Sequence, residues 1–272
     1  MQQRRIAFIG AGNMTAAIIS GLVNSGYPSN LITASNPSPQ KLDKLAERHG
    51  INTTQDNHHA VAESDVIVLA VKPQLMEQVC QDLAKQSLAG KVFVSIAAGI
   101  NSERLLDMLG GHYPLIRTMP NTPSLLSKGM TGLFAQDSVD ESDKTFVFDM
   151  MSSVGEAIWV KKESDIDIVI ATAGSSPAYF FLFLEAMQNH AMALGMDKNT
   201  SRKLVQQAML GAAEMVCHNE DLELSELRAQ VTSKGGTTAK AIESFQSDQL
   251  TDLVAKAMDA AIKRAQQMTQ QF

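Results

Sequence analysis

The chain has 272 residues, 44% of them hydrophobic and 19% charged, and a formal net charge of −6. That length accommodates one large domain or two modest ones, and the composition is that of a globular protein rather than a disordered one. The acidic balance argues against nucleic acid as a partner, which would need a basic face, and two cysteines cannot form a disulfide framework.

Residues 4–9 form a strand pattern at once, with no apolar signal core before it. A helix at 13–25 and a strand at 31–34 follow. Ser38 then stands where an N-cap belongs, with Pro39 opening a helix to about 49. Residues 65–71 contain Val66-Ile67-Val68-Leu69, a buried strand almost without polar break. Further strands are expected at 91–96, 113–119, 130–134 and 157–160. This alternation predicts a parallel, doubly wound α/β sheet of Rossmann type.

After about Lys162 no strand pattern remains, and apolar residues recur at helical spacing. Helices are expected at 164–172, 177–194, 200–218, 223–232, 238–245 and 250–269. The expected organisation is a nucleotide-binding domain at 1–162 and an all-helical domain at 163–272. The longest nearly apolar stretch, 166–187, is interrupted by Asp167, Ser175, Ser176, Pro177 and Glu185, so no membrane span is expected. The expected setting is a reducing cytoplasm.

Gly10-Ala11-Gly12-Asn13-Met14-Thr15 follows the first strand and opens the first helix. There the first glycine permits a tight turn, and the second lets backbone approach a pyrophosphate at the helix N-terminus. Thr15 stands where Gly or Ala is usual, and Gly-x-Gly alone also fits an ordinary strand-to-helix turn. Its place in the first βα unit favours the dinucleotide reading.

The end of the second strand, with Ser35, Asn36, Ser38 and Lys41, carries no acid. A carboxylate there would bind the ribose 2′-hydroxyl of NAD, so its absence favours NADPH, with NADH weaker. Two further strand-end loops, Ala70-Val71-Lys72-Pro73 and Ala97-Ala98-Gly99, let a ring or ribose approach the backbone. Asn57 completes the candidate cofactor set. No Cys/His set has zinc spacing, so no metal is expected.

In the second half, Ala173-Gly174-Ser175-Ser176-Pro177 and Thr232-Ser233-Lys234-Gly235-Gly236-Thr237-Thr238 each precede a helix. Unpaired amides and hydroxyls at such a start suit a small carboxylate, although a plain capped helix reads the same way.

Taken together, Gly10-Ala11-Gly12-Asn13-Met14, Ala70-Val71-Lys72-Pro73, Ser95-Ile96-Ala97-Ala98-Gly99, Arg117-Thr118-Met119-Pro120-Asn121-Thr122-Pro123, Gly174-Ser175-Ser176-Pro177-Ala178-Tyr179 and Val231–Thr238 resemble blocks of the pyrroline-5-carboxylate reductase family, in that family's order. Lys234 stands where the family frequently has proline. The resemblance implies NADPH-dependent reduction of 1-pyrroline-5-carboxylate to L-proline, and a helical domain that interlocks with a second subunit, with larger rings of dimers in some members. It implies a substrate pocket lined by Glu163, Ser175 and Ser176. The carboxylate would be held at Gly235, Gly236, Thr237 and Thr238, with the Thr238 hydroxyl near the ring nitrogen as the catalytic candidate.

Two rival readings are a β-hydroxyacid dehydrogenase and a non-catalytic NADP sensor. The first usually places a lysine four residues before an asparagine on the first helix of its second domain. Here that helix has no lysine before Lys198. The sensor would bind cofactor without turnover.

Overall fold

The structure is a computed structural model that describes residues 1–271. It divides into two compact units, Met1–Ser175 together with the chain from Ala260 on, and Ser176–Asp259. The sequence-based boundary at 162/163 lies ahead of this division, because residues 163–175 pack with the first unit.

In the first unit β1 (Ile6–Ile9), α1 (Asn13–Asn24), β2 (Ile32–Ser35), α2 (Pro39–His49), β3 (Asn52–Thr54), α3 (Asn57–Ala62), β4 (Val66–Leu69), α4 (Pro73–Leu83), β5 (Val92–Ser95) and α5 (Ser102–Leu109) alternate. Then come β6 (Leu115–Met119), β7 (Gly129–Ala135), α6 (Glu141–Ser152), β8 (Gly155–Trp159) and the short α7 (Asp165–Val169), which runs on as a π-helical turn, Ile170–Gly174. The sheet order is β3-β2-β1-β4-β5-β6-β7-β8.

Alternate residues of each central strand enter opposite cores, as a period of two requires. Ile6, Phe8, Val66, Val68, Val92 and Val94 face one core, closed by Ile18, Leu22, Leu42, Phe146 and Met150 from α1, α2 and α6. Ala7, Ile9, Ile67, Leu69 and Phe93 face the other, closed by Val61, Met76, Cys80, Leu105 and Leu109 from α3, α4 and α5. Helices on both faces make the sheet doubly wound.

Two features depart from expectation. Asn52–Thr54 is a strand, paired in parallel with β2, although it carries no apolar residue. It is an edge strand, and only its partner defines it. β7 runs antiparallel to β6. A parallel return needs a crossover of about a dozen residues or more, which the connection at 120–128 does not provide.

The second unit holds α8 (Ser176–Ala193), α9 (Lys198–Cys217), α10 (Leu224–Gln230), α11 (Thr237–Ser247) and the first part of α12 (Leu250–Gln271). Among its described residues only Ser201, Val205 and Leu227 are buried. α8 buries none of its residues, and Phe181 and Leu182 are 65% and 66% exposed. Residues 165–193 are helical throughout and long and apolar enough, by length and composition alone, to cross a membrane.

Candidate functional site

The turn from β1 into α1 is built around Gly10. Its φ of +111° lies where L side chains rarely go, and a Cβ there would stand 2.7 Å from the Ala70 carbonyl oxygen. This close approach ties the Gly-rich turn to the end of β4. Thr15, the residue that departs from the usual fingerprint, is fully buried and donates from its hydroxyl to the Gly10 carbonyl at 2.8 Å. The threonine closes the turn from inside, doing locally what close helix–strand packing does when glycine stands there.

Gly12 is the N-cap of α1, with no atom within 4 Å of where a Cβ would be. The first helical bond runs from Ala16 to the Gly12 carbonyl, so the amides of Asn13, Met14 and Thr15 have no partner within the helix. Ala11 differs: its amide donates to Asn36 Oδ1 at 3.2 Å. Asn36 thus shapes the turn from the end of β2.

Ser35 is fully buried, and its hydroxyl donates to Asn57 Oδ1 at 2.6 Å. These two candidate residues are brought together as a bracket behind the β2 end. Ser38 occupies the N-cap position of α2 ahead of Pro39, but its hydroxyl turns to Gln40 Oε1 instead of capping the helix. The first turn of α2 carries no acidic residue.

A cleft of about 790 Å³ opens over these strand ends, lined among others by Gly10, Ser35, Asn57, Val71, Asp82 and Lys85. Asp82 and Lys85 were not expected here. Asp82 accepts from Lys85 Nζ at 2.8 Å and lies 3.0 Å from His58 Nε2. The Lys85 hydrogen bond, and after it the His58 one, holds the Asp82 carboxyl below the usual range. Asp82 stands in the last turn of α4 and Lys85 just beyond it, where no local motif marks them. Lys72 and Pro73 form the N-terminal end of α4, with Lys72 exposed and making no side-chain cap.

The Ala97-Ala98-Gly99 loop follows β5. Gly99, with φ +74°, does not present an open face: a Cβ there would fall 2.5 Å from Met268 Cβ on α12. The side of Gly99 on which a Cβ would stand is therefore turned to α12. Ala97 and Ala98 remain beside it, and Ala98 packs on Ile166, Ile170 and Ala265.

Glu163 is engaged within its own chain. Its Oε1 accepts from Arg117 Nη1 at 2.8 Å and from the Ser102 amide and hydroxyl at 2.6 and 2.9 Å. Nearby, burial raises the Asp167 carboxyl, which Arg117 draws back and Glu163 pushes further. Asn121, in the Met-Pro-Asn block, donates to the Ala173 carbonyl at 3.0 Å and accepts from the Met130 amide at 2.9 Å. It fastens the π-turn that ends at Gly174, and Ser175 closes that turn by donating to the Ile170 carbonyl.

In the second unit Ser176 begins α8, and three residues on the Tyr179 hydroxyl is enclosed without a hydrogen-bond partner. Gly235 and Gly236 precede α11. Gly236 is its N-cap, and no side chain caps the helix. The first α11 bond runs from Lys240 to the Gly236 carbonyl, leaving the amides of Thr237, Thr238 and Ala239 without helical partners. Thr237 and Thr238 are exposed.

Known proteins match along the whole chain. A relative from Vibrio alginolyticus named pyrroline-5-carboxylate reductase is 56% identical over the full length of both chains. The chain belongs to the pyrroline-5-carboxylate reductase family. A family model described as pyrroline-5-carboxylate reductase dimerisation matches residues 163–268, and one described as NADP oxidoreductase, coenzyme F420-dependent, matches residues 5–99. A solved pyrroline-5-carboxylate reductase from Coxiella burnetii has a TM-score of 0.93 at 41% identity, covering 98% of this chain and 99% of its own. A Plasmodium falciparum pyrroline carboxylate reductase with NADP bound has a TM-score of 0.86 at 29% identity, covering 99% of each chain. Membership in the pyrroline-5-carboxylate reductase family agrees with the six ordered sequence blocks.

Proposed function

We propose that this chain reduces 1-pyrroline-5-carboxylate to L-proline with NADPH. The observation that carries the reading is the 56% identity to a pyrroline-5-carboxylate reductase over the full length of both chains. The structure fits the cofactor: three α1 amides without helical partners and an unobstructed Gly12 suit a pyrophosphate. The acid-free first turn of α2 suits a 2′-phosphate and favours NADPH over NADH.

When bound, NADPH supplies a hydride from nicotinamide C4 for the imine carbon. The chain's own part is positioning. Gly10, Gly12, Asn36 and the amides of Asn13 and Met14 hold the phosphates, while Ser35 and Asn57 brace the β2 end. At the other candidate site the amides of Thr237 and Thr238 receive the substrate carboxylate, and the Thr238 hydroxyl meets the ring nitrogen. Ser175 and Ser176 belong to the other segment assigned to the substrate. A cyclic imine is readily protonated, which accords with a site that has no histidine acid.

The protein works as a dimer, built on its helical part, in the cytoplasm; dimers then assemble into a larger homo-oligomer. The near absence of buried residues in Ser176–Asp259 supports this, since five helices without a core of their own need a partner to cover them. The β-hydroxyacid dehydrogenase alternative gains nothing from the structure. A 3-hydroxyisobutyrate dehydrogenase at 17% identity and TM-score 0.52 shares the fold alone. Incubation with NADP⁺ and a panel of β-hydroxyacids should give no NADPH, whereas NADPH with 1-pyrroline-5-carboxylate should give L-proline. The reverse pattern would reject the assignment.

A further inference from the structure

The connection from β5 to α5, residues 96–101, is held by contacts from three places in the chain. Glu163 Oε1 takes the Ser102 amide and hydroxyl together with Arg117 Nη1. Ala98 packs on Ile166 and Ile170 of the α7 region and on Ala265 of α12. Met268 covers Gly99. The loop lies at the C-terminal end of β5, beyond β4 and away from β2 in the strand order. A dinucleotide whose 2′-phosphate meets the end of β2 runs its nicotinamide half towards this side of the sheet.

The Glu163 contact is more than a helix cap. α5 already has one: Asn101 Oδ1 accepts from the Arg104 amide at 2.8 Å. Glu163 adds a charge-assisted bond from a segment 61 residues away. Arg117, whose side chain is 7% exposed, supplies the opposite charge and fixes the carboxylate in turn. An oxygen that already accepts three hydrogen bonds from its own chain acts through what it holds.

The geometry points to Glu163 as a positioning residue: clamped by Arg117, it anchors Ser102 and thereby sets the 97–99 loop for the nicotinamide half of the cofactor. This rests on the dinucleotide site proposed above.

The test is binding, not turnover. Glu163→Gln keeps size and an acceptor oxygen but removes the charge. Calorimetric titration compares NADPH with adenosine 2′,5′-bisphosphate, which stops short of the nicotinamide. The expected result is roughly tenfold weaker NADPH binding, equivalent to about 1.4 kcal/mol, with bisphosphate binding unchanged and faster amide exchange at 97–102. Ser102→Ala, which leaves the Arg117–Glu163 pair intact, should shift both readouts the same way by less, and it remains usable should Glu163→Gln fold poorly. Equal weakening of both ligands in both variants would overturn the proposal, marking a general structural role. So would unchanged NADPH affinity with a raised KM for the imine, which would make Glu163 a substrate contact. A wild-type protein that binds neither ligand would instead remove the dinucleotide reading, and this proposal with it.

Discussion

Replacing Gly10 and Gly12 by alanine should separate folding from cofactor binding, although both belong to one motif. At Gly10 alanine meets two penalties. The φ of +111° costs a non-glycine residue about 1–3 kcal/mol. The new Cβ would also lie 2.7 Å from the Ala70 oxygen and 2.9 Å from its carbonyl carbon, both backbone atoms that cannot rotate away. Forcing β1 and β4 apart adds about 1–3 kcal/mol. The total, about 2–6 kcal/mol, is a large share of the roughly 5–15 kcal/mol that holds a domain together. At Gly12 the backbone (φ −84°, ψ −178°) suits any residue and nothing lies within 4 Å of a Cβ. Its cost to folding should stay below about 1 kcal/mol, the difference between glycine and alanine as N-caps. On the proposed cofactor site the methyl would project into the space a phosphate must enter, so NADPH binding should weaken at least about tenfold, or ~1.4 kcal/mol. Thermal melting without cofactor and NADPH fluorescence titration read the two effects. Wild-type NADPH affinity in Gly12→Ala, or an unchanged melting temperature in Gly10→Ala, would refute the reasoning.

Thr238→Val should keep the fold, because the side chain is exposed, yet lower kcat/KM for the imine roughly ten- to a hundredfold. That corresponds to a charged hydrogen bond of about 1.5–3 kcal/mol; steady-state kinetics that match wild type would misplace the substrate site. Catalytic efficiency should be higher with NADPH than with NADH, by a modest factor because no arginine at the β2 end offers a bidentate grip; equal efficiency would contradict the reading of that segment. Cys80 is fully buried and burial pushes its thiol up to about 12. At pH 8 only ~1 in 10,000 would be thiolate, so a disulfide reagent should leave Cys80 untouched until the protein unfolds; rapid labelling at Cys80 in the native state would count against this core. Sedimentation at micromolar concentration should show no active monomer, and finding one would show that the helical unit is stable alone.

Much of the fold is written in local patterns. The runs at β1 and β4 are apolar on both faces, as strands covered by helices on each side must be, and the glycine turn between β1 and α1 is marked by spacing alone. Even Thr15, a departure from the fingerprint, has a local reason in its bond to Gly10. What stayed hidden depends on distant partners. Asn52–Thr54 is a strand only because β2 offers it an edge, and the reversal of β7 follows from the shortness of its connection. Asp82 and Lys85 reach the cleft over the strand ends from the C-terminal end of α4 and just beyond it, with no motif to announce them. Glu163 lay within a recognisable substrate segment, but Arg117 and Ser102, which bond to its Oε1, come from two other stretches of chain. Nothing in the sequence around Gly99 shows that Met268 returns against it from α12.

The central claim is tested most directly by mixing the purified protein with NADPH and 1-pyrroline-5-carboxylate and following absorbance and product together. The account predicts saturable NADPH oxidation matched mole for mole by L-proline. NADPH binding without imine-dependent oxidation, or oxidation without proline, would contradict it.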